Sequence, residues 1–284
     1  MRKLFYLFPA GFLVYGAICG AYYLLQEKIL FHPVKLDKNY QFPFKATFTE
    51  HNLITTDNAK INTIWFKANS ENNIANHTLN HTLSNTLSNS SKGVIVYCHG
   101  NADNIVRWGQ IVEKLLPLGY DILIFDYRGF GKSTGTISEK ALFADTQMVY
   151  DFAKKYYSEN QIIIYGRSLG TGLATHLATT NHAKHLILET PYYSILELSQ
   201  RYAAWLPTKL ILQYHIRTDL NIVKVQCPIT IFHGTEDEVV PYDSGIKLKP
   251  LLKNGDEFIT VPNGMHGDLE LYAEYQEGIK RILQ

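Results

Sequence analysis

Gly166-Arg167-Ser168-Leu169-Gly170 sets one serine between two glycines, directly after the apolar run Ile162-Ile163-Ile164-Tyr165 and directly before a stretch rich in Ala, Leu and Thr. The run reads as a strand and the stretch as a helix, so Ser168 falls on the turn between them. A serine on such a sharp strand-to-helix turn presents its hydroxyl clear of the sheet, and glycine neighbours let strand and helix approach closely. The chemistry open to it is nucleophilic attack on a carbonyl. The five-residue pattern also arises by chance, and a serine there can act only as a helix N-cap. The strand before it and the helix after it favour the nucleophile.

A serine hydroxyl needs a base, and the base needs an acid to orient it. His266, in Pro262-Asn263-Gly264-Met265-His266-Gly267-Asp268, follows the strand-like run Glu257–Val261. Asp237, in His233-Gly234-Thr235-Glu236-Asp237-Glu238-Val239-Val240-Pro241, follows the run Ile229–Phe232. The order Ser168, Asp237, His266 suits a nucleophile on an elbow with its partners on later strands. His99, His176, His182 and His233 compete as base, but only His266 lies downstream of a plausible acid at such a strand end. Glu236 and Glu238 are the alternatives to Asp237.

Acyl transfer also needs donors for the oxyanion. The backbone N–H of Leu169 is one. The other is expected from His99-Gly100-Asn101-Ala102, after the run Val94–Cys98, through the N–H of Asn101 or Ala102. His99 then holds the loop. Tyr127, Tyr192 and Tyr193 are the candidate substrate-binding residues. No cofactor or metal is expected: His77 and His81 have helical metal-pair spacing but lack a third ligand.

Tyr97-Cys98-His99-Gly100-Asn101, Asp126-Tyr127-Arg128-Gly129-Phe130-Gly131-Lys132-Ser133, Gly166-Arg167-Ser168-Leu169-Gly170, His233-Gly234 with Asp237 and Val240-Pro241, and His266 together resemble the α/β-hydrolase superfamily. The resemblance is to its small membrane-anchored α/β-hydrolase-domain proteins, among them depalmitoylases and lipases, and covers roughly residue 28 to the end. It implies the fold, ester-hydrolase chemistry, and the nucleophile, acid and base roles of Ser168, Asp237 and His266. It implies structural roles, tying loops near the site, for Asp126 and Arg128. Residues 69–92 depart from the family pattern. Substrate does not carry over, because this fold hosts many.

The elements that must position these residues follow from hydrophobic patterning. Thr47–Thr55 and Ile61–Phe66, with Thr56-Asp57-Asn58-Ala59 between them, read as an edge hairpin. From Gly93 onward short apolar runs alternate with amphipathic stretches: helices are expected over Asn104–Leu116, Glu139–Tyr157, Ser168–Thr179 and Asp268–Leu283. That alternation predicts a mostly parallel, eight-stranded-type sheet covered by helices on both faces, with ligands gathered at the carboxyl ends of the strands. Residues 191–226, rich in Tyr with Trp205, read as a small lid-like helical insertion over the site.

Leu4–Leu25 contains no charged residue. As a helix it spans about 33 Å, enough for a bilayer core of about 30 Å. Residues 1–27 are therefore expected to be a signal-anchor and 28–284 the catalytic domain. A cleaved signal peptide and a lipid-modified Cys19 are the alternatives, the latter opposed by bulky Ile18. Arg2 and Lys3 favour an amino terminus in the cytoplasm and a catalytic domain on the other side, whereas Lys28, Lys35 and Lys38 argue the other way. No candidate catalytic residue precedes His99, so chemistry is expected to survive removal of 1–27.

Residues 69–92 hold a degenerate four-residue Asn/His/Thr/Leu repeat, expected to be an expanded hairpin loop too polar to order itself. Its Asn76, Asn80 and Asn89 acceptor triplets arise automatically from such a repeat. The 284 residues, 46% of them hydrophobic, suit one large core. A net charge of +1, from 27 basic and 26 acidic residues, implies no nucleic-acid partner. Cys98 and Cys227 sit by apolar runs as small hydrophobes. A monomer is the default.

These features point to a membrane-anchored serine hydrolase that cleaves carboxylic ester or thioester bonds of an acyl or lipid-like substrate through an acyl-enzyme. A serine aminopeptidase-type peptidase and a non-catalytic binding protein on the same fold are the competing readings.

Overall fold

Apolar runs bounded by turns become the buried strands of one sheet in the computed structural model, which describes residues 7–68 and 91–284. In chain order the elements are helix α1 (Leu7–Leu30), strands β1 (His32–Pro33), β2 (Phe48–Ile54), β3 (Lys60–Phe66), β4 (Val94–Cys98) and β5 (Ala102–Asp103), then α2 (Ile105–Val112), β6 (Asp121–Phe125) and α3 (Glu139–Ala153). There follow β7 (Ile162–Arg167), α4 (Leu169–Ala178), β8 (His185–Glu189), the short helices α5 (Ile195–Tyr202), α6 (Thr208–Ile211) and α7 (Thr218–Ile222), β9 (Ile229–Gly234), α8 (Tyr242–Gly245), β10 (Glu257–Val261) and α9 (Ala273–Leu283).

Eight strands form one sheet in the order β10-β9-β8-β7-β4-β6-β3-β2. It is parallel from β10 to β6, and β3 and β2 close one edge antiparallel. Strand alternation divides the core. Ile162 and Ile164 pack with α3 and α4 on one face, and Ile163 and Tyr165 pack with α2 and α9 on the other. The central strands are buried along their whole length, as a sheet covered on both faces requires.

Several boundaries differ from expectation. The helix expected to reach Leu116 ends at Val112 and tightens into a 3-10 turn, Glu113–Leu118, that holds Pro117. The closing helix starts at Ala273 rather than Asp268, after a 3-10 turn over Leu269–Leu271. β3 and β4 are not neighbours, since β6 lies between them. β3 and β4 therefore do not form a hairpin. Residues 69–90, with the repeat and its acceptor triplets, lie outside the described residues.

The expected membrane span finds no support among the described residues. Among the described residues no helix is long and apolar enough to cross a membrane. α1 runs through the polar Gln26-Glu27-Lys28 to Leu30, so the boundary expected after residue 27 falls inside it. Its carboxyl-terminal turns are bonded to the rest of the chain: Gln26 is buried, donates to Ile211 O at 2.6 Å and accepts from Gln213 N at 2.8 Å.

Candidate active site

Ser168 stands between β7 and α4 with φ 52° and ψ −120°, a conformation that L-residues rarely adopt. The two glycines of the motif have steric causes. A Cβ on Gly166 would lie 2.6 Å from Gly170 O and 2.7 Å from Ala174 Cβ, and one on Gly170 would run into the Cys98 carbonyl. The turn is held by Ser168 N donating to Glu189 O at 3.0 Å and by Thr171, whose N and Oγ1 both donate to Ser168 O.

Asp237 and His266 arrive on the loops after β9 and β10. These loops touch where the Gly264 carbonyl occupies the space a Cβ on Gly234 would need, and Glu236 N donates to Gly264 O at 3.0 Å. His266 Nδ1 lies 2.8 Å from Asp237 Oδ2. Asp237 Oδ1 accepts from Val239 N at 2.9 Å and Val240 N at 2.8 Å. Asp237 is buried whereas Glu236 and Glu238 face solvent, which separates the three candidate acids. Burial alone would raise its carboxyl. Hydrogen bonds from His233 and His266, the His266 charge and the Val240 N–H outweigh burial and hold it at about 2. Both side-chain hydrogen bonds of His266 run to Asp237, and among the described residues none joins it to Ser168. Such a bond is often loose without substrate and tightens on binding.

The loop after β4 abuts the nucleophile: a Cβ on Gly100 would lie 3.7 Å from Ser168 Cβ and 2.8 Å from the Trp108 ring. His99 is wholly buried beneath it, Nδ1 2.7 Å from Gly100 O and Nε2 3.6 Å from Asp126 Oδ1. Burial raises the Asp126 carboxyl, against the pull of His99. Asp126 Oδ1 also receives the N–H of Ile105, so it fixes the start of α2. Arg128 pairs with Asp57 and Asp145 and ties the β2–β3 turn to α3.

A cavity of about 410 Å³ opens on Ser168. Asn101 and Leu169 line it, as does Tyr192, whose hydroxyl donates to Leu169 O at 3.2 Å. Three candidates are placed elsewhere. Ala102 is paired with His32 in β1 and its carbonyl accepts from Trp108 Nε1, so of the two expected donors it is Asn101 that borders the cavity. Tyr127 is buried under the site loop with its hydroxyl on His99 O at 2.7 Å. Tyr193 is outside the cavity lining, its N–H bonded to Ser244 Oγ.

Three supporting residues were not singled out as such from the sequence. His233 Nε2 sits 2.8 Å from Val240 O and 3.4 Å from Asp237 Oδ2. Arg167 pairs with Glu189 and donates to His266 O at 3.3 Å. His233 appeared as a rival base, and its place four residues before Asp237 was the available signal.

A family model described as serine aminopeptidase, S33, matches residues 89–226. Lysophosphatidylserine lipase ABHD12 of Macaca fascicularis is 34% identical over 185 residues, 56% of this chain and 45% of that one. Alpha/beta hydrolase domain-containing protein 17C of Homo sapiens is 32% identical over 201 residues, 68% of this chain and 59% of that one. The chain thus spans about half the length of the curated relatives it matches. An esterase of Pyrococcus furiosus shares the fold, with a TM-score of 0.64 and 19% identity over 89% of this chain and 96% of its own.

Proposed function

The chain belongs to the α/β-hydrolase superfamily, and we propose that it is a serine hydrolase cleaving an ester or thioester of an acyl or lipid-like substrate through an acyl-enzyme on Ser168. The observation that carries this reading is the strained Ser168, which opens on an apolar cavity at the carboxyl end of the sheet. In the proposed reaction His266 takes the Ser168 proton as Oγ attacks the carbonyl carbon, and Asp237 orients and stabilises the imidazolium. The N–H groups of Leu169 and Asn101 receive the oxyanion. The leaving alcohol or thiol takes the proton from His266, and water, activated by the same imidazole, releases the acid.

The named activity of the lysophosphatidylserine lipase supports a lipid-like substrate. An aminopeptidase would need a carboxylate to hold the substrate amine, and none of the described residues lining the cavity is acidic. Exposed apolar side chains on α1, Phe12, Leu13 and Leu24, with Trp205 and Leu210 on the insertion it touches, support contact with a lipid surface. The test is a fluorophosphonate probe followed by paired acyl-ester and aminoacyl-amide substrates. Labelling and ester hydrolysis should vanish in Ser168→Ala. Persistence of labelling, or a preference for the amides, overturns the reading.

A further inference from the structure

One wall of the cavity comes from outside the sheet and its site loops. Tyr22, Ile29 and Leu30 of α1 line it together with Ile195, Leu198 and Tyr202 of α5. A helix merely tethering a domain would need no polar bonds to it, yet α1 is pinned along its length. Gln26 uses both ends of its amide, on Ile211 O and Gln213 N. A buried amide is costly unless so satisfied. Gln213 Nε2 donates back to Tyr23 O at 2.6 Å, and the Tyr15 hydroxyl to Trp205 O at 3.0 Å. Below the helix, Asn101 Nδ2 donates to Leu30 O at 3.0 Å and His32 N to Asn101 O at 2.8 Å. Phe31 is buried against Tyr214, ring centroids 5.1 Å apart.

We propose that α1 is a fixed wall of the acyl site, clamped by Gln26, and that Tyr22, Ile29 and Leu30 select substrates with long apolar acyl chains over acetyl-sized ones. This rests on the serine-hydrolase reading. On this proposal an acetyl group gains little from α1. A longer one must leave water between α1 and α5, where each buried methylene adds to kcat/KM. Gln26 lines no part of the cavity, so it acts as a positioning residue.

The experiment measures kcat/KM of the full-length chain for 4-nitrophenyl acetate, butyrate, octanoate and laurate. Gln26→Leu keeps the side-chain bulk but loses the clamp. It should lower the octanoate-to-acetate ratio by about tenfold, the loss expected when one or two methylenes are no longer buried. Ile29→Trp, which needs no change in the clamp, should fill the cavity and lower the laurate-to-butyrate ratio. Unchanged ratios in both folded variants, or a uniform loss across all four esters, overturn the wall. Wild-type hydrolysis of acetate that depends on Ser168 but shows no gain with chain length also overturns it and leaves the hydrolase reading standing. Absence of any Ser168-dependent ester hydrolysis overturns both.

Discussion

Arg167 and Glu189, both buried, form an ion pair at the foot of the nucleophile turn, Nε to Oε1 at 3.2 Å. The pair reaches both halves of the site. Glu189 O receives the Ser168 N–H, Tyr165 donates to Glu189 Oε2, and Arg167 donates to His266 O. Arg167→Met would leave a buried carboxylate without its cation, at a cost of about 3–5 kcal/mol. The double variant Arg167→Met with Glu189→Met should recover much of that stability yet keep a lowered kcat, because the His266 loop still lacks its donor. Denaturant melts and ester kinetics on the three proteins check this. A single variant as stable as wild type would show that the pair does not hold the site.

Asp237 gives a prediction with a defined sign. Its carboxyl is held at about 2 in the folded chain against an ordinary 3.8. A folded value below the unfolded one means that the ionised form stabilises the fold. That contribution is complete above the unfolded value and is lost as pH falls toward the folded one. The shift corresponds to about 2 kcal/mol. In Asp237→Asn the acid limb of the stability curve should lack that component between roughly pH 5 and 2. At neutral pH the same variant should slow ester hydrolysis by about 10⁴-fold through loss of imidazole orientation. Parallel acid limbs for the two proteins would remove Asp237 from this role, and a matching loss in Glu236→Gln or Glu238→Gln would reassign the acid.

Deleting residues 1–27 removes Tyr22 and the Gln26 clamp and exposes the flank of the insertion that α1 covers. From the sequence alone, hydrolysis of soluble short-chain esters is expected to survive this deletion. With α1 packed as it is, the truncated chain should melt lower than the full chain and lose hydrolysis of long-chain esters far more than that of acetate. An unaltered melting temperature and chain-length profile would mean that the helix is separable after all.

What could be read from the sequence is what neighbours in the chain decide. Val94–Cys98 and Glu257–Val261 are short apolar runs between turns, and both are strands at those bounds. The elbow around Ser168 was legible because its strand, glycines and helix are consecutive. The structural distinction of Asp237 from Glu236 and Glu238 is burial, which depends on where β9 ends against the Gly264 loop. Arg167 and Glu189 meet because β7 and β8 lie side by side in register, a pairing that no local pattern encodes. Gln26 was harder still. A polar residue closing an apolar run reads as the edge of a bilayer segment, and its partners Ile211 and Gln213 lie in an insertion without a repeating pattern.

Tyr127 tests the difference between reading and structure most directly. From the sequence it is a candidate substrate contact, and a substrate contact would show as a raised KM in Tyr127→Phe. Instead its hydroxyl donates to His99 O from within the core, 2.7 Å away, and its ring packs on His99 with centroids 4.2 Å apart. Removing the hydroxyl leaves that carbonyl unpaired and buried, at about 1–3 kcal/mol. The cost should appear as a lower melting temperature. Because His99 O leads into Gly100 and Asn101, a small slackening of the oxyanion loop should also lower kcat, with KM for short esters unchanged. A variant of wild-type stability whose KM rises severalfold would return Tyr127 to the substrate.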